Sequence, residues 1–298
     1  SGGSTVGEAL NILSRLDVSA ADPVAALHGY LEATRLAFAD RNRYVGDPAH
    51  VEVPLAQLLS SGFAGERACL IDPQHAATSP VPPGNPDGDY HVCPAPSGSP
   101  GAPLVEGPNT TSLVTSDRWG NVVAYTLTIE QTGGNGIVVP GRGFLLNNEL
   151  TDFNFAPTQG SEPDPNLPAP GKRSRSSMAP TIILRNGQPF LAVGSPGGAT
   201  IITTVLQILV NRLDLGMSLA EAIAAPRASQ RNTTTTEAEP EFLHRYELAL
   251  KELGHQFTMN PEIGAAAGLE FVESGKVVVA AEPVRRGGGS AMVVRPSD

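Results

Sequence analysis

Long apolar runs are missing from this sequence. No apolar run reaches about 18 residues, so no segment reads as a membrane-spanning helix. Positive charge is also scarce: 20 Lys and Arg against 30 Asp and Glu give a net charge of −10. With no basic stripe or Arg-rich helix, nucleic acid is not an expected partner. Cysteine is nearly absent, with two in the chain, Cys69 and Cys93. There is no CxxC pair, and the six histidines are scattered, so no metal centre is expected. Oxidised in an export compartment, the two cysteines would close a loop of about 24 residues, worth on the order of 3 kcal/mol. The alternative is two unpaired thiols in a loop. A starting Met is missing too. The chain opens at Ser1 with SGGSTVGEALNIL, which reads as the interior of a longer product with any targeting segment upstream.

What is present is the material of a folded protein. The 298 residues are 40% hydrophobic and 17% charged, enough for one large or two ordinary domains with a core. Val6, Leu10, Leu13 and Leu16 fall at helical spacing and predict a helix over 5–16. Asp22-Pro23 is an N-cap followed by Pro at the first helical position. The helix it opens runs to about Asn42, with Leu27, Leu31, Thr34 and Phe38 on the packed stripe and Glu32, Arg35 and Arg41 on a solvated face. Another short helix is expected over 54–61. From Asp72 to Pro108 the composition turns to Pro, Gly, Ser and Ala, which reads as a surface loop or tether.

Beyond Asn109 the pattern becomes β. Segments 111–116 and 121–132 flank the turn Asp117-Arg118-Trp119-Gly120 and predict a hairpin. Phe144–Asn147 reads as a short strand, and 156–172 as a second Pro-rich loop. Segments 180–184 and 190–193 flank Asn186-Gly187, the strongest hairpin signal in the chain. GSPGGATIITTVLQILVNRLDLG then opens a helix apolar nearly all round, hence buried on more than one side. Helices over 219–225 and 240–253 and strands over 269–272 and 277–281 complete an α+β chain of sheets covered by helices.

Four stretches carry chemical potential. At Asn109-Thr110, a cut would give Thr110 a free α-amine beside its own hydroxyl, joining nucleophile and base in one residue. Gly194-Ser195-Pro196-Gly197-Gly198 precedes a helix, where backbone N–H groups can converge on an anion or oxyanion; it can equally be an ordinary strand–helix turn. Lys172 to Ser177 sets three cations beside hydroxyls, suited to a carboxylate or simply a solvated loop. Asn148 to Asp152 sets two carboxylates three apart, suited to an ammonium or simply surface acid.

Taken in order, TT, TxTxE, GxGxLLNNExxDF, RSSMAPTI, GSPGGxxIITTVLQ and EAIAAPR resemble the γ-glutamyltransferase (γ-glutamyltranspeptidase) family. The resemblance runs from about Ser1 to AAEPVRRGG and is densest over 110–227. It implies a four-layer αββα sandwich of the N-terminal-nucleophile hydrolase type. It also implies a precursor that cuts itself between Asn109 and Thr110. Residues 1–109, with their Pro-rich tail 72–109, would end a large subunit, and 110–298 would form the small, catalytic one.

The resemblance assigns Thr110 as nucleophile and Thr128 as the residue that hydrogen-bonds it. Gly197 and Gly198 match the oxyanion donors, Ser176 and Ser177 the residues that hold a donor's α-carboxylate, and Glu149 and Asp152 those that hold its α-ammonium. Glu130 stands where the family usually has Asn and adds a third carboxylate. The family's upstream Arg, which pairs the donor carboxylate, has no counterpart here, and 156–172 looks like a shortened lid without Tyr. The implied activity is cleavage of γ-glutamyl amides such as glutathione through a Thr110 acyl-enzyme. The glutamyl group would pass to water or to an amino-acid or peptide acceptor, with no metal or organic cofactor and a periplasmic or extracellular location. The competing expectations are a cephalosporin or glutaryl amide acylase of the same superfamily, and a truncated member without activity.

Overall fold

The helix announced by Asp22-Pro23 forms, and it is buried along most of its length. In the computed structural model, which describes residues 2–91, 93, 101–102, 109–272 and 275–294, α1 spans Gly2–Leu13 and packs on α2, Pro23–Tyr44. The Asp22 carboxylate caps α2 by accepting from Ala25 N at 3.0 Å. Glu32, Arg35 and Arg41, expected to face water, are 1%, 3% and 1% exposed. The expectation of a solvated face is wrong because other chain segments fold back over it. Ala77 N donates to Glu32 Oε2 at 3.0 Å, and Gly84 N donates to Asp40 Oδ1 at 2.5 Å.

The single helix expected over 54–61 is two helices, α3 (Leu55–Leu58) and α4 (Ser61–Ala68). The break lies where the Ser60 hydroxyl accepts from Phe63 N and starts a new first turn. From α4, Arg67 pairs with Asp40 of α2 at 2.8 Å and donates to Pro82 O at 3.2 Å. The Pro-rich tract has no helix of its own through residue 91, yet it is pinned to the body: Val81 N donates to Asn232 Oδ1 at 2.7 Å, and Asn232 Nδ2 donates back to Val81 O at 2.9 Å. The part of the tract at 92, 94–100 and 103–108 lies outside the described residues. Cys69 and Cys93 are joined by a disulfide.

The β elements follow in order. β1 (Thr111–Ser116) and β2 (Val122–Leu127) form the expected hairpin, its turn held by Asp117 Oδ1 accepting from Trp119 N and Asn121 N. β2 stops at Leu127, short of the expected 132, because Glu130 takes a left-handed φ of +73°. The strand expected over 144–147 is reduced to one bridge, Val138 to Leu145, in a segment bent by Gly141 and Gly143 at φ +72° and +76°. β3 (Thr181–Arg185) and β4 (Gln188–Gly194) turn at Asn186-Gly187, both residues left-handed (φ 52° and 78°) as a type I′ turn requires. After β4 come α5 (Thr200–Leu213), α6 (Leu219–Ala224), β5 (Ala228–Ser229), β6 (Thr236–Ala238), α7 (Pro240–Glu252), β7 (Phe257–Met259), β8 (Ala267–Val272) and β9 (Lys276–Ala281). The three short strands β5 to β7, unforeseen from sequence, form their own small sheet.

An antiparallel sheet ordered β3-β4-β8-β9 has α5 and α6 packed against it, and the β1–β2 hairpin packs on β3, β4 and β8. The chain is thus α+β, with helical, four-stranded and two-stranded layers stacked among the described residues. The hairpin's inward row is small: Ser112, Val114, Ser116, Ala124 and Thr126, with Ser112 Oγ lying against Gly194 of β4. Every residue of α5 from Ile201 to Asn211 is buried, as its all-round apolar sequence implies. Residues from both sides of Asn109 share one core: Tyr30 of α2 donates to Thr203 O or Ala228 O, at 3.0 and 2.8 Å. Among the described residues no helix is long and apolar enough to cross a membrane.

The end of the chain is locked by a buried four-charge cluster. Arg227 pairs with Glu282 at 2.9 Å, and Arg285 pairs with Glu239 at 2.5 Å and with Glu282 at 2.9 Å. Burial, then the neighbouring Arg285, pulls the Arg227 guanidinium down to about 10. Glu282→Gln leaves two buried guanidinium groups short of a counter-charge and is expected to cost about 3–5 kcal/mol, measured as a shift in the denaturant midpoint.

His28 and His255 form a second buried pair beside Glu32. His28 Nε2–H donates to Asp72 O at 2.8 Å, so its bare Nδ1 accepts from His255 Nε2–H at 2.8 Å. Glu32 is engaged by Arg35 and Ala77 N. Burial, then His28 and Arg35, holds the His255 imidazole down at about 3. A folded value below the unfolded one means that stability is full above about pH 6.5 and falls as pH drops toward about 3. His255→Gln is expected to flatten that part of the acid slope, measured by denaturation midpoints from neutral to acid pH.

Candidate active site

The hairpin brings Thr110 and Thr128 together because they flank its open end, just outside the pair Thr111 and Leu127. The backbone is continuous from Asn109 to Thr110. Thr110 Oγ1–H donates to Thr128 Oγ1 at 3.3 Å, and Thr128 Oγ1–H donates to the Asn109 carbonyl oxygen at 2.9 Å. Glu130 N donates to the same Thr128 oxygen at 2.8 Å. The one hydrogen and both lone pairs of the Thr128 hydroxyl are therefore used. The result is a relay from the Thr110 hydroxyl to the carbonyl of its own preceding peptide bond.

Glu130 is buried in a left-handed conformation that is costly for a residue with a Cβ. Two contacts keep it there: its N–H on Thr128, and its carboxylate accepting from Asn148 Nδ2. Asn148 also takes Gln131 N on its oxygen at 3.0 Å, which fixes the amide's orientation. Directly after Asn148, a 3-10 turn over Glu149–Asp152 aims two more carboxylates at the same cavity.

At the serine pair the structure departs from the sequence reading. The three cations next to Ser176 and Ser177 are spent elsewhere. Lys172 Nζ donates to Leu167 O at 2.8 Å, and Arg175 donates to Arg41 O at 3.0 Å. Arg173 pairs with Asp47 at 2.7 Å, and this pairing holds the Asp47 carboxyl well below the usual carboxylate range. The cation that does reach the serines comes from α2: Arg41 donates to Ser177 Oγ at 2.8 Å and to Ser176 O at 3.0 Å. Sequence reasoning missed it by placing Arg41 on a solvated face. The available signal was the density of charged residues at the end of an otherwise apolar helix.

The glycine turn completes the site. Gly197 and Gly198 have φ of +142° and +57°, and a Cβ at Gly197 would lie 2.6 Å from Thr200 Oγ1. Both glycines are buried, and among the described residues neither N–H has an acceptor. A buried N–H without a partner is uncommon and invites an oxygen. Gly198 lines the same cavity as Thr110, Thr128, Glu130, Glu149, Asp152, Ser176 and Ser177. That cavity is about 20 Å³, room for about one water. A cleft of about 350 Å³, lined by Asn109, Leu127 and Gln131 among others, shares Thr110 and Thr128 with that cavity. The arrangement offers a hydroxyl linked through a second hydroxyl to a carbonyl, N–H groups able to receive an oxyanion, an arginine-backed serine pair able to take a carboxylate, and three acids able to take an ammonium.

Comparison with known proteins identifies the family. The family model for Gamma-glutamyltranspeptidase matches residues 1–292. The glutathione hydrolase proenzyme of Bacillus subtilis (strain 168) is 39% identical over 270 residues, covering 88% of this chain and 44% of that protein. The chain thus spans less than half the length of this relative. Among solved structures, a gamma-glutamyltranspeptidase mutant from Pseudomonas nitroreducens is 34% identical with a TM-score of 0.54, covering 62% of this chain and 100% of that one. A cephalosporin acylase from Bacillus halodurans is 28% identical with a TM-score of 0.80, covering 97% of this chain and 49% of that one. With its fold, its threonine relay and a family match over nearly its whole length, this chain belongs to the gamma-glutamyltranspeptidase family.

Proposed function

We propose that this chain is the part of a self-processing γ-glutamyltransferase and glutathione hydrolase that carries the catalytic threonine. The observation that carries the proposal is the relay Thr110 Oγ to Thr128 Oγ to Asn109 O. Thr110 Oγ attacks the Asn109 carbonyl carbon while its proton leaves through Thr128. Collapse breaks the C–N bond, the amine takes the proton, and water hydrolyses the resulting ester. Thr110 is then the first residue of a small subunit, 110–298, and residues 1–109 end a larger one. The full match of the Pseudomonas nitroreducens chain to 62% of this one supports that boundary, because residues 110–298 are nearly the same share.

In turnover the freed α-amine of Thr110 acts as base. Thr110 Oγ attacks the γ-carbonyl of a glutamyl amide, the Gly197 and Gly198 N–H groups receive the oxyanion, and the protonated amine leaves. Water or an amino-acid or peptide amine then takes the acyl group. Glu130, Glu149 and Asp152 hold the donor's ammonium. Ser176 and Ser177 hold its carboxylate, with Arg41 fixing Ser177 from behind. Every proton transfer is assigned to a side chain, the α-amine or water. The disulfide supports a periplasmic or extracellular location.

The acylase likeness gives a second reading, in which a glutaryl amide lacking the ammonium is the donor. Three carboxylates converging on one cavity favour the γ-glutamyl donor instead. In the protein expressed from its gene, Thr110→Ala is expected to give one uncut mass on long incubation and no turnover. Thr128→Ala is expected to slow cutting by about 10²–10³-fold, by analogy with loss of one oxyanion donor. Normal cutting in Thr110→Ala removes the nucleophile assignment. Glu149→Gln or Asp152→Asn is expected to raise KM for γ-glutamyl-p-nitroanilide by roughly 10–100-fold, the loss of one charge-assisted hydrogen bond. Turnover of a glutaryl anilide should be unchanged; a wild-type preference for the glutaryl anilide would establish the acylase reading.

A further inference from the structure

A larger cavity, about 520 Å³, lies where the start of α2, the end of α5, α6 and α7 meet. It shares no residue with the cavity around Thr110. Asn211 in its wall is about 20 Å along α5 from the Gly198 turn, at 1.5 Å per residue. The volume suits a small organic molecule rather than a single ion or water.

The lining decides what kind of molecule. Leu27, Leu215, Met217 and Pro226 give aliphatic walls, and Tyr246 contributes a ring. Both charged groups at the mouth are hydrogen-bonded, and of the two only Arg245 has a counter-charge among the described residues. Glu221 accepts from Ser218 N and Oγ at 2.8 and 2.6 Å, and Arg245 pairs with Glu241 at 2.7 Å. Gln207 is also spent, donating to Pro226 O at 3.0 Å and accepting from Ala228 N at 3.1 Å. One buried polar group is left over. Asn211 is 3% exposed, lines the cavity, and among the described residues its side-chain amide has no hydrogen-bond partner. Its polar atoms are not sealed away either, so the sliver of Asn211 that stays accessible is the amide facing the cavity. That amide offers an acceptor oxygen and two donor hydrogens side by side. The complementary ligand group is another primary amide, whose oxygen and one N–H lie along the same edge. The exposed Glu221 carboxylate at the mouth, which no cation pairs among the described residues, disfavours a negative charge on the ligand.

We propose that this cavity is a binding site for a small primary carboxamide with a branched aliphatic group and no negative charge. The amide pairs with Asn211 while the aliphatic part lies against Leu27, Leu215 and Met217. The site is separate from the nucleophile and does not depend on the activity proposed above.

N-acetyl-leucinamide is a suitable probe, and the chain's four methionines are suitable reporters: Met217 in the cavity, Met178 beside Ser177, and Met259 and Met292 elsewhere. With methyl-13C methionine, the Met217 signal is expected to shift saturably with a midpoint on the order of 1 mM, as for a fragment of this size. Met259 and Met292 should stay still, and a Met178 shift would report binding at the nucleophile instead. Asn211→Leu is expected to weaken the Met217 response at least tenfold, and Leu215→Trp, which fills the cavity, to abolish it. If either variant misfolds, a comparison on the unaltered protein still decides. N-acetyl-leucine and N-acetyl-leucine methyl ester should bind at least tenfold more weakly than the amide. No saturable Met217 shift, equal binding of amide and ester, or undiminished binding to a folded Asn211→Leu protein would each overturn the proposal.

Discussion

Helix α2 carries charged and polar side chains that cannot reach water, and much of the structure exists to answer them. An unpaired buried charge would cost several kcal/mol. Each is met by a specific partner: His28 by Asp72 O and His255, Glu32 by Arg35 and Ala77 N, Asp40 by Arg67 and Gly84 N, Arg41 by Ser177. Apart from Arg35, the partners come from distant parts of the chain. Satisfying α2 therefore pins the Pro-rich tract on one side and Ser176 and Ser177 on the other. A loop that composition alone marks as a tether becomes part of the scaffold.

The same economy operates at the threonine pair. Thr128 is saturated by its contacts to Thr110, Asn109 and Glu130, so its hydroxyl cannot rotate away without losing hydrogen bonds. Glu130 gains a fixed, strained backbone and an Asn148 contact. Strain at a residue held by two independent contacts is the pattern found where geometry matters to chemistry. The glycine turn completes this, with N–H groups that have no acceptor among the described residues.

Legibility varied with the range of the determining forces. The β1–β2 and β3–β4 hairpins, the Asp22-Pro23 start and the buried α5 were legible because turns, caps and periodicity act over a few residues. The strand at 144–147 and the continuous helix over 54–61 failed where one local feature, glycine bends or the Ser60 cap, overrode an apolar run. The short strands β5 to β7 carried no periodic signal, since two or three residues are too few to show one. Glu130, Glu149, Asp152, Ser176 and Ser177 were all singled out from the sequence, and they line one cavity with Thr110 and Thr128. Arg41 was not, because its side chain's destination depends on residues 135 positions away.

By itself the sequence determined the class of elements, the hairpin turns, the hydroxyl residue that opens the β half, and the order of the family's motifs. These are properties of neighbouring residues and of side-chain chemistry. Tertiary structure alone decided that the charged side of α2 is interior, and that Arg41 rather than the cations beside the serines backs Ser177. It also decided that the Thr110 hydroxyl is linked through Thr128 to the Asn109 carbonyl. The physical reason is one of range: a hydrogen bond forms only when both partners are within about 3.5 Å, and for residues far apart in sequence only the folded chain sets that distance.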